Sequence, residues 1–183
     1  MPRLRARRRG RAAACEPDVA AIEDLFRQCE RRVGRFLVQM VHDRNLAEDL
    51  LQDTFHDAMR SRSQLLIAPN PEAWLFATAR NRALSALRRE RRSLRARGRL
   101  PRVREQSEPG VQEVVALRDL LERHLGPDER ALLLLRYLHG FDAGELAEIV
   151  GITPEAVRQR LSRSRRKLLA ASAGQVQPSD KER

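Results

Sequence analysis

Between Val19 and Met40 the apolar residues Ile22, Leu25, Phe26, Cys29, Val33, Phe36, Leu37 and Met40 recur at steps of three and four. That period predicts one long amphipathic helix, with Gly34 the place for a bend. Asn45 and Glu48 have the spacing of a capping box, which predicts the start of a second helix. Its apolar face is Ala47, Leu50, Leu51, Phe55 and Ala58. Ala68-Pro69-Asn70-Pro71 interrupts the pattern. Asn70 is suited to cap a third helix and Pro71 to occupy its first position. That helix is expected to run through Trp74, spaced as a core residue, Ala77, Leu84 and Leu87 to about Arg91. No run alternates apolar and polar residues long enough to predict a strand.

Beyond Arg91 the periodicity fails. Residues 92–110 hold Gly98, Pro101, Pro109 and Gly110 among charges, the composition of a flexible linker extended by its own repulsion. Helical periodicity returns over Val111–Leu125 and again over Asp128–Leu138. The expected fold is all-α: two small helical domains, residues 18–91 and 111–172, joined by a flexible basic linker. Residues 1–17 and 173–183 are expected to be disordered tails.

Charge adds a second layer. The 183 residues carry a formal charge of +11, and all but Lys167 and Lys181 of the 36 basic residues are arginines. Residues 1–15 hold +6, residues 86–104 hold +8 and residues 158–167 hold +6, so the rest of the chain is −9. Basic contact zones on an acidic body suggest two kinds of partner, one a polyanion. Cys15 and Cys29 are the only cysteines, too few for a disulfide framework or a four-cysteine zinc site. Nothing approaches the roughly 18 uninterrupted apolar residues of a membrane span, and the Arg-rich start has no apolar run behind it. A soluble, cytoplasmic protein with no membrane insertion is expected.

The most specific local signal lies in residues 142–169. Leu146, Ala147, Val150, Gly151, Ile152 and Val157 fit the apolar and small positions of a helix-turn-helix. Gly151 supplies the positive φ of the turn, Thr153 caps the second helix and Pro154 opens it. Val157, Leu161 and Leu168 return to the core. The opposite face presents Glu155, Arg158, Gln159, Ser162, Arg163 and Arg166, side chains able to read base edges and neutralise phosphates. Gly144 reads as a mid-helix glycine, costing roughly 1 kcal/mol relative to Ala.

Two other faces are less specific. Asp49, Asp53 and Asp57 fall at i, i+4 and i+8 beside Gln52. A solvated acidic face is the simplest reading; a docking face for a basic protein needs support from elsewhere. In the third helix, Arg80, Asn81, Arg82, Arg88 and Arg89 fit a helix laid along a duplex and a water-bathed surface equally well. His42, His56, His124 and His139 have no ligand spacing, and no nucleophile–base pair is apparent. No enzyme, metal or cofactor is expected.

The order of motifs carries a resemblance. The run from Asp43 to Phe55 (DRNLAEDLLQDTF) is followed by Ala73 to Leu84 (AWLFATARNRAL), then by Leu125 to Arg130 (LGPDER), Leu133 to Leu138 (LLLRYL) and the helix-turn-helix. Over residues 18–170 this resembles a bacterial sigma factor of the extracytoplasmic-function group, the two-domain minimal form of the sigma-70 family. The resemblance implies that Asp49, Gln52 and Asp53 contact core RNA polymerase. It implies that Ala68, Pro69 and Asn70 capture a flipped base of the promoter's minus-ten element, with Arg80, Asn81 and Arg88 reading and opening that element. It also implies that the helix-turn-helix, with Thr153, Glu155, Arg158, Gln159, Ser162, Arg163 and Arg166, reads the minus-thirty-five element. An anti-sigma factor is implied as a further partner. The Ala143-Gly144-Glu145 stretch departs from the family's usual residues there, and the Arg-rich residues 1–15 have no counterpart in its pattern. The alternative from another class is a polymerase-independent helix-turn-helix regulator, binding duplex DNA as a dimer.

Overall fold

The computed structural model describes residues 16–96 and 112–173. Among these residues eight helices and no strand follow one another: α1 (Glu16–Val41), α2 (Arg44–Arg60), α3 (Arg62–Ile67), α4 (Pro71–Ala96), α5 (Gln112–His124), α6 (Pro127–Tyr137), α7 (Ala143–Val150) and α8 (Pro154–Ala173). The all-α expectation holds, with several boundaries moved. Helix α1 begins at Glu16, inside the expected tail, because Pro17 in a first turn gives up no needed hydrogen bond. Helix α4 continues to Ala96, five residues into the expected linker. Arg, Leu and Ala are good helix formers, and the first breaker is Gly98. The remainder of that linker, residues 1–15 and residues 174–183 lie outside the described residues.

Helices α1, α2 and α4 form one bundle, with α3 across its end. Ile22, Cys29, Val33, Phe36, Leu37 and Met40 of α1 are buried. So are Ala47, Leu50, Thr54 and Ala58 of α2 and Ala73, Leu75, Phe76, Ala79 and Ala83 of α4. The alanines let the helix axes approach closely. Thr54 costs nothing inside because its hydroxyl donates to the Leu50 carbonyl at 2.7 Å. Helix α1 passes unbroken through Gly34, where a Cβ would meet only Leu51 at 3.5 Å. The cap of α2 is Asp43, whose Oδ1 accepts from Leu46 N at 3.1 Å, two residues before the expected Asn45. Trp74 is only half-buried; the core of α4 is Leu75 and Phe76.

In the second half, α6 is buried almost all round through Arg130 to Leu135, as the central member among α5, α7 and α8 must be. Glu129 closes its capping box by accepting from Gly126 N at 3.0 Å and meets Lys167 of α8 at 2.6 Å. Gly144 is in the first turn of α7, not mid-helix. Its N–H donates to the capping Asp142 carboxylate at 2.7 Å, so its entropic cost is offset by a satisfied terminal donor.

The two halves pack on each other, α4 against α6 and α7, and α1 against α6. Phe141 and His139, from the segment between α6 and α7, enter the first bundle. Ring centroids of Phe76 and Phe141 are 4.8 Å apart, those of Phe76 and His139 5.2 Å and those of Phe36 and His139 5.7 Å. Arg32 donates to the His139 carbonyl at 2.7 Å. Arg130, 6% exposed, donates to the carbonyl of Met40 at 2.6 Å and to Glu122 at 3.1 Å. Glu122 also lies 2.7 Å from His42, which follows α1 in the left-handed region at φ +53°.

Burial pushes the His139 imidazole down to about 4, with the Arg32 and Arg35 charges pushing the same way. A histidine freed from this junction takes its proton near 6.5, so stability present above that pH is lost as pH falls from about 6.5 to about 4. At about 1.4 kcal/mol per unit the loss approaches about 3 kcal/mol. Thermal unfolding followed between pH 7 and pH 4 is expected to show a drop that His139→Phe flattens.

Candidate nucleic-acid interface

The helix-turn-helix is built as its sequence requires. Asp142 caps α7 through Gly144 N and Glu145 N, and Glu145 returns the bond by accepting from Asp142 N at 2.8 Å. Gly151 ends α7 at φ +72°, a conformation other residues adopt at a cost of about 1–2 kcal/mol. Thr153 Oγ1 then accepts from Ala156 N at 3.2 Å and Pro154 opens α8. Val157, Leu161 and Ser164 are buried on one side of α8. On the other, Glu155, Arg158, Gln159, Ser162, Arg163 and Arg166 line one open groove, all exposed, with Thr153 exposed at its head. Arg158 pairs with Glu155 at 3.0 Å, and Arg163 donates to Gln159 at 3.4 Å. These partners lie within the same helix face, so a base edge or phosphate can replace them without moving the backbone.

A second cationic groove runs along the end of α4, lined by Ser85, Arg88, Arg89, Arg91, Arg92 and Arg95. The expected minus-ten residues do not all share this exposure. Asn81 and Arg88 are exposed, but Arg80 is 8% exposed. It donates to Asp128 of α6 at 2.5 Å and to Asn81 at 3.3 Å. Desolvation lowers the Arg80 pKa, and the Asp128 charge works against that shift. Pro69 is exposed, while Ala68 and Asn70 are half-buried. Asn70 caps α4 by accepting from Ala73 N at 3.0 Å, as expected, and its amide donates to Glu145 of α7 at 3.2 Å.

On α2, Asp49, Gln52 and Asp53 are exposed on one face. Arg82 of α4 reaches that face, binding Asp57 through Nε at 2.8 Å and Nη2 at 2.5 Å, and Asp53 through Nη1 at 2.7 Å. The hydrogen bond to Asp57 leads in raising the Arg82 pKa. Arg82 is thereby committed to the acidic face and not to DNA. Asp128 and Glu145, which meet the expected site residues Arg80, Arg88 and Asn70, had no signal in the sequence, because each contact joins segments separated by the linker.

Residues 25–93 match the family described as Sigma-70 region 2, and residues 114–168 match Sigma-70, region 4. The RNA polymerase sigma factor CarQ of Myxococcus xanthus is 36% identical over 151 residues, covering 81% of this chain and 87% of that protein. The ECF RNA polymerase sigma factor SigM of Bacillus subtilis is 31% identical, covering 81% and 93%. The chain belongs to the extracytoplasmic-function sigma factors. Sigma factors bind core RNA polymerase and direct it to promoters; they are regulatory subunits and not catalysts. The fold is similar to that of the sigma factor RpoE crystallised with the anti-sigma factor NepR from Bartonella quintana, at a TM-score of 0.68, 24% identity and coverage of 81% and 94%. It is also similar to CnrH in complex with the cytosolic domain of CnrY, at 0.64, 20%, and 89% and 94%. No helix among the described residues is long and apolar enough to cross a membrane.

Proposed function

We propose that this sigma factor docks on core polymerase through Asp49, Gln52 and Asp53 and reads a promoter with two separate surfaces. Ala68, Pro69, Asn70, Arg80, Asn81 and Arg88 take the minus-ten element. Thr153, Glu155, Arg158, Gln159, Ser162, Arg163 and Arg166 take the minus-thirty-five element. The domains doing this are residues 18–91 and 111–172, with 92–110 spanning them. The observation that carries the reading is the division of α8 into a buried edge at Val157 and Leu161 and an exposed edge of arginines and Gln159. The exposed carboxylates of α2 support the polymerase contact. An anti-sigma partner is carried over from the solved relatives, whose structures hold one, and work in the cytoplasm, beside polymerase and DNA, goes with it.

In vitro transcription with purified core polymerase, with and without the protein, tests the whole reading, since a polymerase-independent regulator would add no initiation. The Asp49→Ala/Asp53→Ala double variant is expected to lower core affinity at least about tenfold, the size of a modest interface hot spot. Its fold should be retained because Asp57 still holds Arg82. Core affinity equal to wild type in a titration would remove α2 from the interface.

A further inference from the structure

Resting on the polymerase-docking reading, we propose that Arg82 is a positioning residue for that contact. From α4 it holds the Asp53 carboxylate of α2 in the place where core polymerase meets it. The side chain forks between two carboxylates. Its Nε and Nη2 both donate to Asp57 Oδ2, at 2.8 Å and 2.5 Å, and Nη1 donates to Asp53 Oδ2 at 2.7 Å. Asp57 is the anchor, since it takes two of these three bonds and its side chain is 29% exposed, against 54% for Asp53. The backbone at each end is pinned by its neighbour: Thr54 beside Asp53, Ala58 beside Asp57 and Ala83 beside Arg82 have no exposed surface. A planar guanidinium seated on that base fixes where its remaining N–H group points, and Asp53 follows it. Oδ2 of Asp53 is thereby occupied, which leaves Oδ1 to accept from a basic group of the polymerase. Asp49, one turn earlier on the same face, has no hydrogen-bond or ion-pair partner among the described residues and keeps its rotamer freedom until docking.

A cation beside an acidic docking face has two opposing effects, and their sizes decide the sign. Immobilising a free side chain at an interface lowers affinity by about twofold or more, a cost that a carboxylate already held in place avoids. Without Arg82, Asp53 and Asp57 would also repel each other at i,i+4 and swing apart. The charge-assisted bond to the polymerase would then lose alignment, and such bonds weaken steeply with angle. Against this stands repulsion between the guanidinium and the basic group that meets Asp53. Across that carboxylate the two cations stand about 7 Å apart, where screened repulsion at physiological salt changes affinity by less than about twofold. Positioning outweighs repulsion, so Arg82 strengthens docking although it carries the same sign as the group being docked.

The test is a titration of the full chain, fluorescently labelled at its N-terminus, with purified core polymerase, read by anisotropy. Arg82→Gln removes the charge and the fork. Arg82→Lys keeps the charge but offers one nitrogen in place of the fork. Both are expected to lower core affinity by about three- to tenfold. In an Asp53→Ala background the same substitutions are expected to change it by less than about twofold, because the carboxylate they position is gone. A purely structural role would lower thermal stability without that dependence on Asp53. Circular dichroism melts of every variant, with titrations run well below the lowest midpoint, keep folding apart from docking. Three results overturn the positioning: Arg82→Gln binding core as tightly as wild type or more so, Arg82→Lys matching wild type, or an equal loss with and without Asp53. If Asp53→Ala alone leaves core affinity unchanged, the docking reading fails and the positioning falls with it, a result distinct from those three.

Discussion

Phe76→Ala is expected to destabilise the protein by about 3–5 kcal/mol, the range for truncating a fully buried aromatic ring. Phe76 has no exposed surface and is the ring that both halves share. Phe36 of its own bundle stands 5.7 Å from it in an edge contact, and Phe141 of the other half stands 4.8 Å from it, also edge-on. Arg32 lies over both Phe76 and Phe141, at 5.7 Å and 5.6 Å from the ring centroids. An alanine there leaves a cavity walled by two rings and a guanidinium that are pinned from other directions, so collapse is only partial. A domain of this size holds about 5–15 kcal/mol in all, and such a loss consumes much of it. Urea denaturation of wild type, Phe76→Ala, Phe141→Ala and the double variant checks this. The cycle should return about 0.5–1.5 kcal/mol of coupling between the two rings. Coupling near zero would mean that the rings do not meet in solution.

How much of this was legible beforehand divides by range of interaction. Gly151, Thr153 and Pro154 announced the turn of the helix-turn-helix because positive φ and the first-turn donors are local demands, met by residues a few positions apart. The same is true of Asn70 and Pro71 at the head of α4. Choosing Asn45 over Asp43 as the cap of α2 failed by a smaller margin, since both are capping residues and the helix simply begins two residues sooner. Helix α3 was missed because six residues carry too little periodicity, with only Leu65 buried. Trp74 was taken for core on its spacing, whereas the helix turns Phe76 inward and leaves Trp74 at the edge. For the site, the exposed face of α8 was readable from its spacing. The burial of Arg80 was not: an arginine in a basic helix reads as a surface residue until a carboxylate from a distant segment, here Asp128, is brought against it. Charge gave the number of basic zones but not which of their members another half of the chain would claim.

Replacing Arg158, Gln159 and Arg163 together by alanine is expected to weaken binding to the minus-thirty-five element by several kcal/mol. Each base-reading contact accounts for about 1–3 kcal/mol, roughly additively when the contacts lie on separate base pairs. The three side chains occupy the exposed edge of α8 and touch nothing outside that face, so the fold should be spared. Arg158 gives up its pair with Glu155, an exposed i,i+3 contact of the kind that contributes about 0.2–0.5 kcal/mol. The kind of loss separates base reading from mere attraction. A contact to phosphate weakens every sequence alike and lowers the slope of log affinity against log salt by about one per charge, whereas a base contact relaxes preference at one position. Sequences selected from a random duplex pool by the wild-type protein should therefore lose their advantage over the pool for the triple variant. The Arg166→Ala variant should lower affinity for all of them with the preference kept. Equal preference in the triple variant and the wild type would assign the α8 face to phosphate contact alone and move sequence reading elsewhere in the chain.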